Sequence, residues 1–365
     1  MSKEEKVEIR TRAGYTPAEC LKAFMSALSE SGATSTGKAI HFAADLVCSG
    51  GYEVWITSIW EFAIQHIGIG SPRIFVYLKK RVPELDLLIA RLPEETLFTN
   101  EEFQTRICEI IFVIRECPRR TRLSWPKVPP ETHKEGWLNA VTSEATQPEI
   151  VRKVYKANSD RVEMYTVACE LIKACGEGAT EKALFWIKWL IEEDVKRKKD
   201  NYGSGLSTLD RGPTKGKPKA EMGFYILTLF AEAYKDYVGK KLIRMNEEFQ
   251  ALIDLYRGFE TRLGSTARKD ILALMTQILC EVPRWKVPAA PTLIKDPAVM
   301  ARAIPQAGMF FKEIVALPKV SLGRAKSIFK SKNITDTAKE KVKNATTMES
   351  QMEAYDAAMN IYLNK

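Results

Sequence analysis

The densest apolar pattern in the chain lies at residues 182–194, KALFWIKWLIEED, where eight of the thirteen positions are apolar. Wound as a helix, these positions cover almost the whole circumference, as expected of a helix buried on several sides. An earlier stretch at 38–47, KAIHFAADLV, has the same character. The pair predicts two buried helices and suggests an internal duplication. Helical spacing dominates elsewhere, and no convincing alternating strand pattern is found. A helix over 18–28 should begin after Thr16-Pro17, since Thr caps well and Pro suits the first turn. Residues 32–37 read as a turn, and Ser49-Gly50-Gly51 should stop the first buried helix. Further helices are expected over 55–67, from Ser71-Pro72 to about residue 80, and from Asn100-Glu101-Glu102 through 114. Gly68-Ile69-Gly70, Pro83 and Pro93 punctuate this order, and Cys117-Pro118 leads into the connector RRTRLSWPKVPPE.

The second half repeats the order. Tyr15-Thr16 with Cys20-Leu21 matches Tyr165-Thr166 with Cys169 and Leu171, and Gly32-Ala33-Thr34 matches Gly178-Ala179-Thr180. Trp60-Glu61-Phe62 falls where Leu229-Phe230-Ala231 lies. Ile114-Arg115-Glu116-Cys117-Pro118 matches Leu279-Cys280-Glu281-Val282-Pro283, and the connector around Trp125 matches Trp285-Lys286-Val287-Pro288. The expectation is an all-α protein of two tandem, related helical-bundle units with a helical C-terminal extension. The expected divisions are an N-terminal tail at 1–14, units at 15–145 and 146–291, and the extension at 292–365. The second unit carries an insertion at 195–221, rich in Gly, Lys and Pro, that is expected to be exposed and mobile. Within the extension, a short helix is expected near 309–316 and a final one over about 335–363.

A chain of 365 residues is long for one core, in keeping with two domains. Its composition, 45% hydrophobic and 28% charged, is ordinary for a globular protein. The opening MSKEEKVEIR lacks the apolar core of a secretory leader, and no run approaches the roughly 18 apolar residues of a membrane span. Seven cysteines, mostly in apolar stretches, read as buried thiols in a reducing compartment, cytoplasmic or nuclear. The net charge of +9 is unevenly placed. Residues 195–220 carry +6, 312–345 carry +6 and 115–127 carry +4, which leaves −7 for the remainder. Cationic charge confined to three segments fits polyanion binding at discrete places. Solvated loops that keep the protein soluble would give the same count.

In the first segment Arg115, Arg119, Arg120 and Arg122 stand beside Trp125 and Lys127, so guanidinium and aromatic groups could serve phosphates and bases together. In the second, Lys196, Arg197, Lys198 and Lys199 with Lys215, Lys217 and Lys219 form a cationic run suited to phosphate. In the third, Lys319, Arg324, Lys326, Lys330 and Lys332 interleave with Leu322, Ile328 and Phe329. That basic amphipathic pattern fits nucleic acid, a membrane surface or an acidic partner equally. No catalytic signature emerges, and no cofactor or metal is expected. Gly32 to Lys38 has the spacing of a phosphate-binding loop, but it follows a helix and ends in Ala39, where Ser or Thr is needed. The histidines His41, His66 and His133 are scattered, and Cys169 and Cys175 lack the spacing of a zinc pair. Glu192-Glu193-Asp194 reads as a local charge balance against the lysines that follow.

The short helix, the KAIHFAADLV-type buried helix, the helix through Trp60, Gly68-Ile69-Gly70-Ser71-Pro72-Arg73 and the long helix ending at Pro118-Arg119-Arg120 resemble a known arrangement. Each unit is similar to the helical C-terminal collar of clamp-loader ATPases and of replication-associated recombination ATPases. The resemblance implies a helical fold and self-association into homo-oligomers. It transfers no activity, because it does not extend to a nucleotide-binding domain. The expected function is therefore a non-enzymatic assembly protein that binds nucleic acid without sequence specificity in replication, repair or genome packaging. The alternatives are a scaffold or capsid-associated protein whose basic segments touch neighbouring subunits, and an enzyme of an unrecognised helical class.

Overall fold

A computed structural model describes residues 10–120, 123–142, 148–209, 211, 222–241, 247–259, 263–281, 298, 305 and 307–319. The described residues are helical, and among them no strand forms beyond one isolated bridge between Asp160 and Ser207. The protein is all-α. The described residues fall into two compact units, one within 1–120, 262–265 and 291–365, the other within 121–261 and 266–290.

In the first unit, α1 (Pro17–Ser29) starts on a capping box. Thr16 Oγ1 accepts the Glu19 N–H at 3.2 Å, and the Glu19 carboxylate accepts the Thr16 N–H at 2.9 Å. The next helix, α2 (Ala33–Cys48), begins immediately after Gly32, so the expected turn at 32–37 is its first turn. Its interior residues Ala39, Ala43, Ala44 and Leu46 are fully buried, as the apolar pattern required. It ends with Gly50 in the left-handed conformation, and Gly51 N–H reaches back to the Leu46 carbonyl at 2.7 Å.

The third helix, α3 (Tyr52–Phe62), passes into a π turn (Ala63–Ile67) and a 3₁₀ turn (Gly68–Gly70). It is followed by α4 (Arg73–Arg91), the short α5 (Glu94–Leu97) and α6 (Glu101–Glu116), the last capped by Asn100 on the Phe103 N–H. The expected stop near residue 80 does not occur. Pro83 lies inside α4, which continues because Phe75, Leu78, Val82, Leu85 and Leu88 form one buried stripe on both sides of it. Burial of that stripe outweighs the roughly 3 kcal/mol an interior proline costs. Glu109 of α6 then ties α4 down, accepting from Tyr77 at 3.0 Å and from Arg81 Nε at 3.1 Å.

The second unit contains α7 (Trp137–Val141), α8 (Glu149–Val154), α9 (Val162–Glu177), α10 (Thr180–Asp200), α11 (Met222–Gly239), α12 (Glu247–Asp254) with a π turn after it (Leu255–Phe259), and α13 (Ser265–Glu281). The first of the two buried helices of this unit, α9, ends on left-handed Gly178, with Ala179 N–H on the Ala174 carbonyl. Helix α10 is the second buried rod, with Ala183, Leu184, Ile187 and Leu190 essentially inaccessible. The paired motifs fall on helix–glycine–helix at α1/α2 and α9/α10, on α3 and α11, and at the ends of α6 and α13. Between those landmarks the units differ: the first has α4 and α5, the second α12 and its π turn.

The observed division departs from the expected one at both ends. The connector after residue 120 belongs with the second unit, because Lys188 Nζ donates to the Pro126 carbonyl at 2.9 Å and Trp189 Nε1 to the Thr132 carbonyl at 3.1 Å. The expected short helix of the extension forms as α14 (Ala307–Val315), which packs on α2 and α6 in the first unit. The final helix expected over 335–363 lies outside the described residues. No helix of the described residues is long and apolar enough to cross a membrane. All seven cysteines are buried thiols.

A nine-residue helix such as α14 is too short to persist alone in water, so docking must hold it. Phe311 and Ile314 are buried, and the Phe311 ring meets Phe103 edge-on at 6.5 Å. Phe311→Ala is expected to remove about 3 kcal/mol from the first unit and to open α14 to proteolysis. Urea denaturation with limited proteolysis checks this, and an unchanged digestion pattern would refute the docking.

Candidate nucleic-acid interface

The three basic segments meet different fates. Arg115, at the end of α6, is buried and donates to the carbonyls of Ala27 and Gly32 and to Ser35 Oγ at 2.9 Å. Arg119 donates to the Ser29 carbonyl at 2.8 Å and the Leu28 carbonyl at 2.5 Å, with its guanidinium over the Phe62 ring. The last carbonyls of a helix have no intrahelical partner. Those of α1 are therefore satisfied by two arginines far along the chain. Loss of hydration, more than the neighbouring Arg119, pulls the Arg115 guanidinium below its ordinary pKa. Arg115 is thus engaged in packing, through two carbonyls and Ser35 Oγ, whereas Arg119 gives two donors to backbone and is itself exposed. Trp125 is half-buried and points its Nε1 at Asp270 Oδ1 at 3.3 Å, so it too is part of the packing. Lys127 and Arg120 are exposed, and Arg122 lies outside the described residues.

The second segment was expected to be a loop from residue 195. Instead α10 continues to Asp200, as Lys and Arg are good helix formers and cations suit a helix C-terminus. The carboxylates of Glu192, Glu193 and Asp194 are therefore inside the helix, and each meets a cation. Lys188 Nζ lies 3.7 Å from Glu192, Arg197 Nε 2.6 Å from Glu193, and Lys198 Nζ 2.6 Å from Asp194. Arg197 also reaches Glu163 of α9 at 2.8 Å. Glu193 is buried, and His133 Nδ1 lies 2.7 Å from its other oxygen, with the imidazole stacked on Trp189. Burial alone would raise the Glu193 pKa, but the bonds from Arg197 and His133 hold it below the usual carboxylate range. Two cations of the run remain exposed. Lys196 gives one N–H to the His133 carbonyl at 3.0 Å, and Lys199 projects from the last turn beside exposed Asp200.

Residues 201–209 and Arg211, within the expected insertion, are bonded to the helices of the second unit. Asp194 Oδ1 accepts the Leu206 N–H at 2.8 Å, and a Cβ on Gly205 would fall 2.1 Å from that oxygen, so only glycine fits. Leu206 is fully buried. Ser207 Oγ donates to Asp160 at 2.6 Å, and Arg211, over the Tyr225 ring, donates to the other oxygen of Asp160. Burial opposes ionisation of Asp160, yet the bonds from Arg211 and Ser207 lower its pKa overall. Lys215, Lys217 and Lys219 lie outside the described residues.

One residue missed by sequence reasoning stands out in this turn. Tyr202 is the fully exposed side chain just past α10, and its φ is +49°. Gly203 N–H bonds the Lys198 carbonyl at 2.8 Å, the closure that Gly50 and Gly178 support after α2 and α9. Here a tyrosine takes the left-handed position normally given to glycine, at a cost of about 1 kcal/mol and with no packing in return. Nothing in the residue order marks that conformation. Of the candidate residues in the third segment only Lys319 is described, and it is exposed. Arg324, Lys326, Lys330 and Lys332 lie outside the described residues.

The remaining candidate chemistry is local structure. Ser35 Oγ and Thr36 Oγ1 of the loop-like Gly32 to Lys38 spacing both donate to the Gly32 carbonyl. His41 is half-buried beside Phe42. Among the described residues no cluster of His, Cys, Asp and Glu has the arrangement of a metal site. Comparison with protein-family models, curated proteins and solved structures finds no match to the chain.

Two outcomes follow from this geometry. Arg115→Gln should cost about 3 kcal/mol of stability while leaving polyanion affinity unchanged; denaturation and a binding titration on the same variant check both, and lost affinity in a stably folded variant would return Arg115 to the interface. The carboxyls of Asp160 and Glu193 titrate lower when folded than when unfolded. The stability they contribute is complete above their ordinary values of 3.8 and 4.5 and disappears as pH falls through the lower folded values. Asp160→Asn should lower stability at pH 7 by about 3 kcal/mol and flatten the loss between pH 5 and acid (about pH 3). A variant with the same acid limb as the parent would contradict the pairing.

Proposed function

We propose that this is a non-enzymatic assembly protein that binds nucleic acid without reading its sequence, through the solvent end of α10 and the lysine-rich stretch that follows. The observation carrying the proposal is the placement of Lys196 and Lys199. They stand exposed at the end of a helix whose body is locked in the core, ahead of Lys215, Lys217 and Lys219 in the chain. A buried rod holds those cations in fixed positions, and phosphate contacts of this kind attract polyanions regardless of base order. Pairing of Arg197 and Lys198 with buried carboxylates narrows the contact set, so the affinity should be moderate and strongly salt-dependent. Lys127 and Lys319 are secondary candidates by their exposure.

Self-association is the second part of the proposal. It rests on the repeated helix–glycine–helix order around two buried rods, which we read as a duplication and as a collar-like arrangement. Replication, repair and genome packaging are the processes this combination fits. A scaffold or capsid-associated role would instead show as high-order assembly in nucleic-acid-free material.

Changing Lys196, Lys199, Lys215, Lys217 and Lys219 together to Gln tests the site. The dependence of log affinity on log salt should become shallower by up to about 4.5 for duplex DNA, with lower affinity at every salt concentration. Negligible binding of the parent chain to single strands and duplex alike at low salt would end the proposal, as would a salt slope unaffected by the five changes.

A further inference from the structure

From the turn after α10 we infer that the favoured ligand is single-stranded nucleic acid, with Tyr202 as a base-stacking residue. The inference rests on the reading that the end of α10 binds nucleic acid, and it names the ligand class and a residue for that site. Three observations meet at this turn. Tyr202 is fully exposed, so both faces of its ring are open to a planar partner. Its backbone is held in the left-handed conformation by the helix-closing bond from Gly203 to the Lys198 carbonyl, a position where α2 and α9 use glycine. Lys199 is three residues before it, and Lys196 is one helical turn further back. An aromatic ring beside exposed ammonium groups is the pairing that grips a single strand, the ring taking a base face and the cations the adjoining phosphates. Duplex bases are stacked on one another and offer this ring no free face, so duplex would engage the lysines alone. The turn itself is anchored on both sides, through Lys198 to Asp194 at 2.6 Å and through Asp194 to Leu206 at 2.8 Å. The ring is therefore presented from a fixed base.

The test uses the full chain, a fluorescent oligothymidylate and a duplex of equal length in low salt. Tyr202→Ala should weaken single-strand binding by about 5- to 150-fold, the range for loss of one stacked base, and duplex binding by less than about 2-fold. Tyr202→Phe should retain single-strand affinity. Tyr202→Gly, which relieves the backbone, should match the alanine variant in binding while melting no lower than the parent, which separates lost stacking from lost folding. If both ligands bind and the Ala and Gly variants hold the single strand as tightly as the parent, stacking is overturned and the phosphate site stands. Equal weakening toward duplex and single strand also overturns it. If neither ligand binds the parent, the phosphate site itself is wrong and the inference falls with it.

Discussion

A helix ends in backbone groups that water or some partner must satisfy, and where such an end faces the core of a unit the partner must come from the protein. That constraint organises both units. In the first, α2 is apolar around most of its circumference, and the end of its neighbour α1 is closed by Arg115 and Arg119 from the far end of α6. In the second, α9 closes on Gly178, and Asp194 of α10 accepts the backbone of the returning chain. Charged side chains thus serve as hydrogen-bonding partners for backbone before they serve any ligand. A buried donor left without a partner loses more than an ordinary hydrogen bond returns.

This ordering of demands decides which basic residues remain for function. The arginines nearest the core have been drawn in, as have Arg197, Lys198 and Arg211, each facing a buried carboxylate. At the end of α10 what is left at the surface is lysine, a flexible and strongly hydrated cation, and the fully exposed Tyr202. Charge counted along the chain overstates the interface, because a guanidinium satisfying carbonyls counts the same as one facing solvent.

The buried rods, the Thr16 and Asn100 caps and the glycine stops were legible in the residue order because they depend on neighbours within a few positions. Pro83 misled because the buried stripe that carries α4 through it is held by tertiary packing. The helical course of residues 195–200 was obscured by their charge, although lysine and arginine favour helix. The docking of residues 201–209 and of Arg211 depends on Asp160 and Asp194, whose roles appear only once α9 and α10 are packed. His133 was likewise unremarkable until Trp189 and Glu193 enclosed it. Tyr202 carried no signal at all, since a left-handed tyrosine is invisible without backbone angles. Association of the flanking connector and of α14 with particular units was equally hidden, being set by contacts between residues far apart in sequence.

The central claim is that the solvent end of α10 is where this protein meets nucleic acid. Photo-crosslinking of the full chain to a bromodeoxyuridine-substituted single strand, followed by peptide mapping, tests it most directly. The account predicts an adduct on the peptide that contains Tyr202, and none on the peptide that contains Arg115 and Arg119. Adducts confined to the latter peptide would contradict it.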